Sequence, residues 1–224
     1  MIHQIWDWRT KDNSKMFAQK WVPEKNKKAS IILVHGFGEH SSRYEHFADF
    51  FCQHRIQVLA FDLRGHGKSS GPRAYLPTQT IYWDDLTDFL KEVNDATVGK
   101  PVFLYGHSMG GMIVLSYGLK YNPVFTGVIA SAPLIDTTTP LNSATLKLAQ
   151  IMNNIAPKIT IDSGLDRSGL SHDQKVVDAY NADPLVFGKA TVRLGVFLAD
   201  TKKYLQEHAS EFSLPLLTMV GSAD

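Results

Sequence analysis

The alternation of apolar runs with helical patterns is the feature that most constrains how this chain folds. Four continuous apolar runs are typical of strands buried on both faces, and each is separated from the next by a helical pattern. They are SIILVHG, IQVLAFD, PVFLYG and FTGVIASAP, which begin at residues 30, 56, 101 and 125. This order predicts an α/β chain with a mostly parallel central sheet that is flanked by helices.

The segments around these runs complete the predicted sheet. HQIWDWRT and KMFAQKWV precede the first run and are expected to pair antiparallel at one edge. Helices are predicted for SRYEHFADFFCQH, with Ser41 or Ser42 as its cap, for IYWDDLTDFLKEV, and for MGGMIVLSYGLKY. Ligands of such sheets bind at the carboxyl ends of the strands, so the residues after each strand are the candidates for chemistry.

The alternation stops at about Leu134 and resumes with LPLLTMVG, an apolar run that predicts another buried sheet strand. We interpret residues 1–134 as a core, 135–210 as an inserted helical cap, and 211–224 as the start of the C-terminal part of the core. The remainder of that part is expected to be absent, so the chain is interpreted as a fragment of a longer protein.

One helical face of the predicted cap is apolar. It carries Leu148, Ile151, Met152 and Ile155. We expect this face to pack on the helices of the sheet. The alternatives are that it lines an acyl channel or touches a bilayer.

Composition limits the partners. The net charge is +1 and no block of Lys and Arg is present, which argues against binding to nucleic acid. The single cysteine, Cys52, excludes an internal disulfide, fits a reducing compartment, and is expected to be buried and inert. The N-terminus does not resemble a signal peptide, and no apolar run is long enough to cross a membrane. A cytoplasmic location is expected, with peripheral contact with a membrane or lipid droplet left open.

No metal or cofactor is predicted. The histidines do not fall into a zinc-binding pattern. The sequence RGHGKSSG ends like a phosphate-binding loop, but Asp62 stands where that loop needs its first glycine. We interpret Asp62–Gly67 as a structured turn in which Arg64 and His66 tie loops together.

The strongest catalytic motif is Gly106-His107-Ser108-Met109-Gly110, a G-x-S-x-G sequence between a strand and a helix. A residue on such a sharp turn has unfavourable backbone angles, and small neighbours relieve the crowding. The Ser108 hydroxyl is therefore expected at the top of the sheet, where the helix dipole favours developing negative charge. The motif predicts a nucleophilic serine.

An oxyanion hole needs two hydrogen-bond donors near the reacting oxygen. One is expected to be the backbone N–H of Met109, which directly follows the serine. The other is expected to be the N–H of Phe37, in the glycine-rich turn that follows the strand ending at His35-Gly36.

Several blocks together resemble one family. HGFGEHSSRY, FDLRGHGKSSG, GHSMGG, IDSGLD and GSAD are similar to sequences of the monoacylglycerol lipases, which are serine hydrolases of the α/β-hydrolase fold. The resemblance runs along nearly the whole chain and implies cleavage of a fatty acyl ester of glycerol by a serine, histidine and aspartate triad. Ser108 would be the nucleophile, and Asp224, in a G-x-A-D turn, would be the acid.

The resemblance also assigns residues to the glycerol head. Glu39, Arg43 and His107 match positions that help to hold it, although Glu39 and Arg43 could instead pair with each other and pin the loop. Phe37 stands where the family often has a smaller residue. The expected oxyanion donor is the backbone N–H, which the larger side chain does not remove. The bulk of the Phe37 ring is expected to narrow the acyl pocket.

The triad base is expected after Asp224, because the chain order in this fold is serine, acid, histidine. None of the histidines present is expected to serve, and Asp136 is a rival for the acid. Two classes of function follow. One is a lipase or related carboxylesterase, such as a lysophospholipase, whose intact chain carries the histidine. The other is a non-catalytic lipid-binding or interaction protein on the same scaffold.

Overall fold

A seven-stranded sheet forms the centre of the protein in the computed structural model, which describes residues 1–136, 143–164 and 167–222. Within these residues β7 and β8 form a separate two-stranded sheet. The strands are β1 (Ile2–Arg9), β2 (Lys15–Val22), β3 (Ala29–Val34), β4 (Ile56–Phe61), β5 (Val102–His107), β6 (Gly127–Ser131), β7 (Thr160–Asp162), β8 (Lys189–Thr191) and β9 (Leu216–Met219).

The order of strands across the large sheet is β1-β2-β4-β3-β5-β6-β9. The pairs β1–β2 and β2–β4 are antiparallel, whereas β4, β3, β5, β6 and β9 run parallel. The predicted α/β fold and the antiparallel pair at one edge are confirmed. The carboxyl ends of β3 and β5 lie side by side, because Val34 pairs with Gly106.

Helices cover both faces of the sheet. They are α1 (Glu45–Gln53), α2 (Ile81–Glu92), α3 (Asn94–Thr97), α4 (Met109–Tyr121), α5 (Ser143–Ile155), α6 (Gln174–Ala182) and α7 (Val192–His208). Alternate residues of β3 belong to different cores. Ile32 and Val34 pack with residues of α2, α4 and α7, whereas Ile31 and Leu33 pack with residues of α1. This alternation explains why β3 is apolar throughout.

The predicted cap of the first helix is wrong. The chain enters through a 3₁₀ turn at Ser41–Tyr44, and α1 begins at Glu45 without a side-chain cap. The backbone N–H and hydroxyl of Ser41 instead donate to Oδ1 of Asp62, at 2.8 and 2.6 Å. The serine therefore joins two loops at the top of the sheet. Cys52 is buried as expected, and burial raises the pKa of its thiol.

The segment between β6 and β9 contains α5, α6, α7 and the small sheet, so the strand–helix rhythm does break there. The helix α7 packs against α4, and its Leu194 and Phe197 lie in the main core. The limits of the predicted cap stay a prediction.

Two apolar surfaces are more exposed than the sequence predicts. On α5, Leu148, Ile151 and Ile155 are 60%, 55% and 74% exposed, so the expected packing of this face on the sheet's helices is wrong. Asn153 of the same helix accepts a hydrogen bond from Arg193 of α7 at 2.7 Å. Strand β9 is also exposed, although its composition predicts a buried strand. In the described part of the chain, no helix is both long and apolar enough to span a bilayer.

Candidate active site

Ser108 lies on a strained turn between β5 and α4. Its φ and ψ are 52° and −117°, a conformation that residues other than glycine rarely adopt. The turn is held from three sides. The Ser108 N–H donates to Ser131 O at 2.9 Å, and the Ser108 carbonyl accepts from Met112 and Leu134, both at 3.1 Å. Backbone strain of this kind persists only where the surroundings enforce it, and it concentrates at functional sites.

The glycines of the motif allow backbone segments to approach closely. A Cβ on Gly106 would lie 2.3 Å from the carbonyl oxygen of Gly110. A Cβ on Gly110 would lie 2.2 Å from the carbonyl oxygen of Val34, at the end of β3. Gly36 also approaches the serine, since a Cβ on Gly36 would lie 3.3 Å from the Cβ of Ser108. The turn after β3 therefore lies directly against the serine.

The expected oxyanion donors come directly after the two residues of this contact. Phe37 follows Gly36, and Met109 follows Ser108. Within residues 1–136, 143–164 and 167–222, neither backbone N–H donates a hydrogen bond to another group of the protein. Met109 is fully buried and begins α4, so its free N–H is a group that a substrate oxygen can satisfy. An oxyanion hole needs two such donors, and the roles of Phe37 and Met109 in one stay predictions.

Glu39 organises the turn. Its Oε1 accepts from the Gly36 N–H and the Tyr44 hydroxyl, both at 2.7 Å, and its Oε2 accepts from Arg43 at 3.1 Å. The pairing of Glu39 with Arg43, which the sequence left as the alternative to glycerol contact, is therefore present. The Arg43 guanidinium also stacks on the ring of Tyr180 at 4.3 Å. Burial, and then the adjacent Glu39 carboxylate, raise the pKa of Tyr44, so its phenol stays a donor.

His107 is half-buried beside the serine. Its Nδ1 lies 3.4 Å from the hydroxyl of Ser131, and its ring meets the ring of Tyr44 edge to face at 6.5 Å. Within the described part of the chain, no residue forms a hydrogen bond with the Ser108 hydroxyl. The histidine preceding the serine is therefore placed beside the nucleophile without contacting its oxygen.

Two further histidines near the serine are locked in the core. The Leu63 N–H donates to Nε2 of His35 at 2.9 Å, so Nδ1 of that ring carries the proton and donates to the Gly36 carbonyl at 2.8 Å. Burial lowers the pKa of His35, and burial lowers the pKa of His66 to about 3. Both rings stay neutral and structural. His66 packs against Phe37, with ring centroids 6.1 Å apart.

The predicted acid, Asp224, lies outside the described residues. Its rival, Asp136, forms an ion pair with Lys202 at 2.6 Å, and its side chain is 77% exposed. His208 pairs with Glu211 at 2.7 Å, at the far end of α7.

The sequence reasoning missed some residues that shape the site. Asp62, which the sequence placed at the start of a structured turn without a role of its own, is fully buried and accepts from Ser41 and from the Lys68 N–H, both at 2.8 Å. Arg64 bonds Asp12 of the β1–β2 turn at 2.9 Å, which joins two loops as predicted, and it also bonds Asp85 of α2 at 2.7 Å. The indication available in the sequence was a carboxylate directly after the apolar run IQVLAF, at the end of a predicted strand.

The fold and the strained serine define a serine hydrolase of the α/β-hydrolase fold. The model of the family described as serine aminopeptidase, S33 (Hydrolase_4) matches residues 25–224. The chain belongs to this family.

Its relatives include proteins named as monoglyceride or monoacylglycerol lipases. A monoglyceride lipase of Rattus norvegicus is 34% identical over 95% of this chain and 71% of its own length. The solved structure of a monoacylglycerol lipase from Paleococcus ferrophilus is 30% identical, with a TM-score of 0.82, and the match covers 92% of this chain and 77% of that one. An abhydrolase domain-containing protein of Dictyostelium discoideum is 33% identical over 96% of this chain, which spans only 23% of its length. These matches place the chain among carboxylic ester hydrolases.

Proposed function

We propose that the protein cleaves the acyl ester of monoacylglycerols to a fatty acid and glycerol through an acyl-Ser108 intermediate. The observation that carries the proposal is the strained Ser108, which lies against Gly36 and is followed, as Gly36 is, by a residue whose backbone N–H donates no hydrogen bond within the described residues: Met109 after Ser108 and Phe37 after Gly36. The monoglyceride lipase of Rattus norvegicus supports the choice of substrate.

In the proposed reaction, Ser108 Oγ bonds to the ester carbonyl carbon while its proton passes to a histidine. The family resemblance implies that this histidine follows Asp224 in sequence and that Asp224 orients it. The Phe37 and Met109 amides donate to the oxygen that becomes negative. As the carbonyl re-forms, the bond to the glycerol oxygen breaks, and the histidine gives that oxygen its proton.

The second half releases the acid. Water attacks the acyl carbon and gives its proton to the same histidine. The bond to Ser108 breaks, the fatty acid leaves, and the histidine returns the proton to the serine.

Arg43 and His107 are proposed to hold the glycerol head with Glu39. Both oxygens of Glu39 already accept hydrogen bonds from the protein, so its proposed contribution is to orient Arg43 and the Gly36 turn. His107 keeps Nε2 without a hydrogen-bond partner within the described residues. That nitrogen is available to a glycerol hydroxyl.

Contact of the protein with a lipid surface is a further part of the proposal. The exposed side chains of Leu148, Ile151 and Ile155 on α5 support it, because apolar residues on one helical face favour the interfacial region of a bilayer. Replacing all three with serine should reduce co-flotation with phosphatidylcholine vesicles. The matched replacement of exposed Val98, Tyr121 and Val124 should leave it unchanged.

The nucleophile is tested with a serine-reactive fluorophosphonate on the full-length protein. Ser108→Ala should abolish labelling, and Ser213→Ala should not. Retained labelling of Ser108→Ala would remove the proposed nucleophile. An unlabelled wild type would favour the non-catalytic lipid-binding alternative.

Turnover then tests the substrate. The wild type should cleave monoacylglycerol in preference to triacylglycerol and lysophospholipid. A preference for lysophospholipid would change the proposed substrate, but the protein would still be a carboxylic ester hydrolase. Asp224→Asn should lower kcat by about 10⁴. Asp136→Asn should leave it nearly unchanged, since that carboxylate is engaged with Lys202. The reverse result would move the acid to Asp136.

A further inference from the structure

Residues 36–40, which follow β3 and contain the proposed oxyanion donor Phe37, form a turn that we call the oxyanion turn. This turn contacts a second loop from far along the chain. That loop, residues 183–187, follows α6. The Phe187 N–H donates to the Gly38 carbonyl at 3.0 Å, and the rings of Phe37 and Phe187 meet edge to face at 5.5 Å. The contact is close, because a Cβ on Gly38 would lie 2.2 Å from the Phe187 carbonyl oxygen.

Asp183 fixes the shape of this loop. Its Oδ1 accepts from the Leu185 N–H at 2.9 Å, and its backbone carbonyl accepts from the Val186 N–H at 3.1 Å. These bonds form a turn that presents Phe187 to Gly38.

Asp183 also reaches the oxyanion turn directly. Its Oδ2 lies 2.8 Å from Nε2 of His40, which must donate because the carboxylate can only accept. Burial raises the pKa of Asp183, but the hydrogen bonds from His40 and from the Leu185 N–H, together with the nearby positive charge of Arg43, outweigh it, so the pKa lies below its usual value. His40 is 5% exposed, so its side of the pair is shielded from water, whereas the Asp183 side chain is 23% exposed.

The two contacts with the 183–187 loop both lie on the C-terminal side of the donor Phe37. Glu39 holds Gly36, the residue before the donor, whereas Phe187 holds Gly38 and Asp183 holds His40, which come after it. The backbone N–H of Phe37 is therefore fixed from both ends, and only the first attachment lies within the motif itself.

We propose that Asp183 is a positioning residue for the oxyanion donor Phe37, acting through His40 and Phe187. This inference rests on the proposed hydrolase function. Loss of Asp183 leaves the Phe37 N–H present but free to shift, and a misplaced donor stabilises the tetrahedral oxyanion less than an ordered one. The ground state, in which the carbonyl oxygen carries little charge, is affected far less.

The test compares Asp183→Ala, Asp183→Asn and the control Asp178→Ala in the full-length protein. Asp178 lies on α6, the helix that precedes Asp183, is exposed, and bonds only the Gln174 side chain within the described residues. Asp183→Ala should lower kcat on monoacylglycerol by on the order of 10-fold, with KM within about 2-fold. Asp183→Asn should recover most of the loss, because its side chain keeps the turn bond and can donate to His40 in the other tautomer.

A trifluoromethyl ketone with a fatty acyl chain supplies a second measurement. The serine adds to it to form a tetrahedral oxyanion, so Asp183→Ala should weaken its inhibition by the same factor as kcat. Binding of a non-hydrolysable ether analogue of monoacylglycerol should not change. Amide hydrogen exchange of residues 36–40 should accelerate in Asp183→Ala and not in Asp178→Ala.

The outcomes separate this inference from the proposed function. An unlabelled, inactive wild type would overturn both. An active wild type with an equally active Asp183→Ala would overturn the positioning role alone. A raised KM with unchanged kcat, or equal weakening of the ketone and the ether analogue, would also overturn it, because those results indicate that Asp183 supports substrate binding only.

Discussion

The carboxylate of Glu39 accepts a hydrogen bond from the backbone N–H of Gly36 at 2.7 Å. This bond spans the turn that contains Phe37, and the same oxygen accepts from the Tyr44 hydroxyl. Glu39 is 6% exposed, so its donors are shielded from competing water. A side chain expected to face substrate is therefore part of the support of the turn.

Replacing Glu39 with glutamine should lower both stability and turnover. In glutamine an NH₂ group replaces one carboxylate oxygen, and this group cannot accept the hydrogen bond from Arg43. The negative charge that strengthens all three hydrogen bonds is also lost. We expect a loss of about 1–3 kcal/mol in the free energy of unfolding, measured by urea denaturation, together with a lower kcat.

Glu207→Gln is the matched control. Glu207 is exposed and pairs with Lys203 at 3.8 Å, so its replacement should change stability by less than about 0.5 kcal/mol. Equal stability of both variants would show that Glu39 does not hold the turn.

Strain at Ser108 predicts that glycine is better tolerated there than alanine. A φ of 52° with ψ of −117° costs any residue that carries a Cβ, and glycine avoids this cost. Ser108→Gly should therefore be more stable than Ser108→Ala, by on the order of 1 kcal/mol after the greater chain entropy of glycine is subtracted. Both variants should lose fluorophosphonate labelling.

The same pair of replacements at Ser210 gives the control. Ser210 is exposed in the 3₁₀ turn Ala209–Glu211 and does not have a positive φ. At this position the Ser210→Gly variant should be less stable than the Ser210→Ala variant, which is the opposite of the order expected at Ser108. Thermal denaturation of the four variants measures both differences, and the same order at both sites would argue against strain at Ser108.

The sequence predicted the local parts of this site well. A glycine on either side of Ser108 indicates a tight turn, and apolar runs indicate buried strands, because both requirements act on neighbouring residues. The strand and helix around Ser108 are confirmed as β5 and α4. The catalytic roles of Ser108, Phe37 and Met109 stay predictions.

Contacts between distant residues explain what the sequence did not predict. Ser41 and Asp62 are 21 residues apart, and His40 and Asp183 are 143 apart, so no local pattern connects them. The apolar residues of α5 are spaced so that they share one face of the helix, and this spacing alone does not tell whether the face packs on other helices or is exposed. Its exposure follows from the position of the helix, which packs on α7 through a different side.

Gly110→Ala should destabilise the protein strongly. Its Cβ would lie 2.2 and 2.5 Å from the carbonyl oxygens of Val34 and His35, which belong to the backbone and cannot rotate away. We expect a cost of more than about 2 kcal/mol in the free energy of unfolding, because α4 must move away from β3. Urea denaturation checks this value.

Gly195→Ala on α7 is the matched replacement. A Cβ on Gly195 meets nothing within 4 Å, so the higher helix propensity of alanine should stabilise the protein by about 0.5–1 kcal/mol. If Gly110→Ala destabilises the protein and Gly195→Ala stabilises it, the loss at Gly110 is caused by close packing and not by helix propensity. A mild effect at Gly110 would contradict the close approach of β3 and α4.

Acid should destabilise the protein through its buried histidines. The pKa of His66 is lowered to about 3 by burial, whereas an unfolded histidine titrates near 6.5. Between these values the unfolded chain binds a proton that the folded protein does not, so the free energy of unfolding falls as the pH falls. His35, whose pKa burial also lowers, contributes with the same sign.

The contribution of His66 is isolated by comparing slopes. The free energy of unfolding from urea titrations at pH 4 to 6 should fall by about 1.4 kcal/mol less per pH unit in His66→Gln than in the wild type, which corresponds to one proton. His172→Gln, at an exposed position, should keep the wild-type slope. The difference in slope between His66→Gln and the wild type should disappear below about pH 3, where His66 also binds a proton in the folded protein. Parallel slopes for His66→Gln and the wild type would mean that His66 is protonated in the folded state, which the apolar contacts with Phe37 and Phe187 argue against.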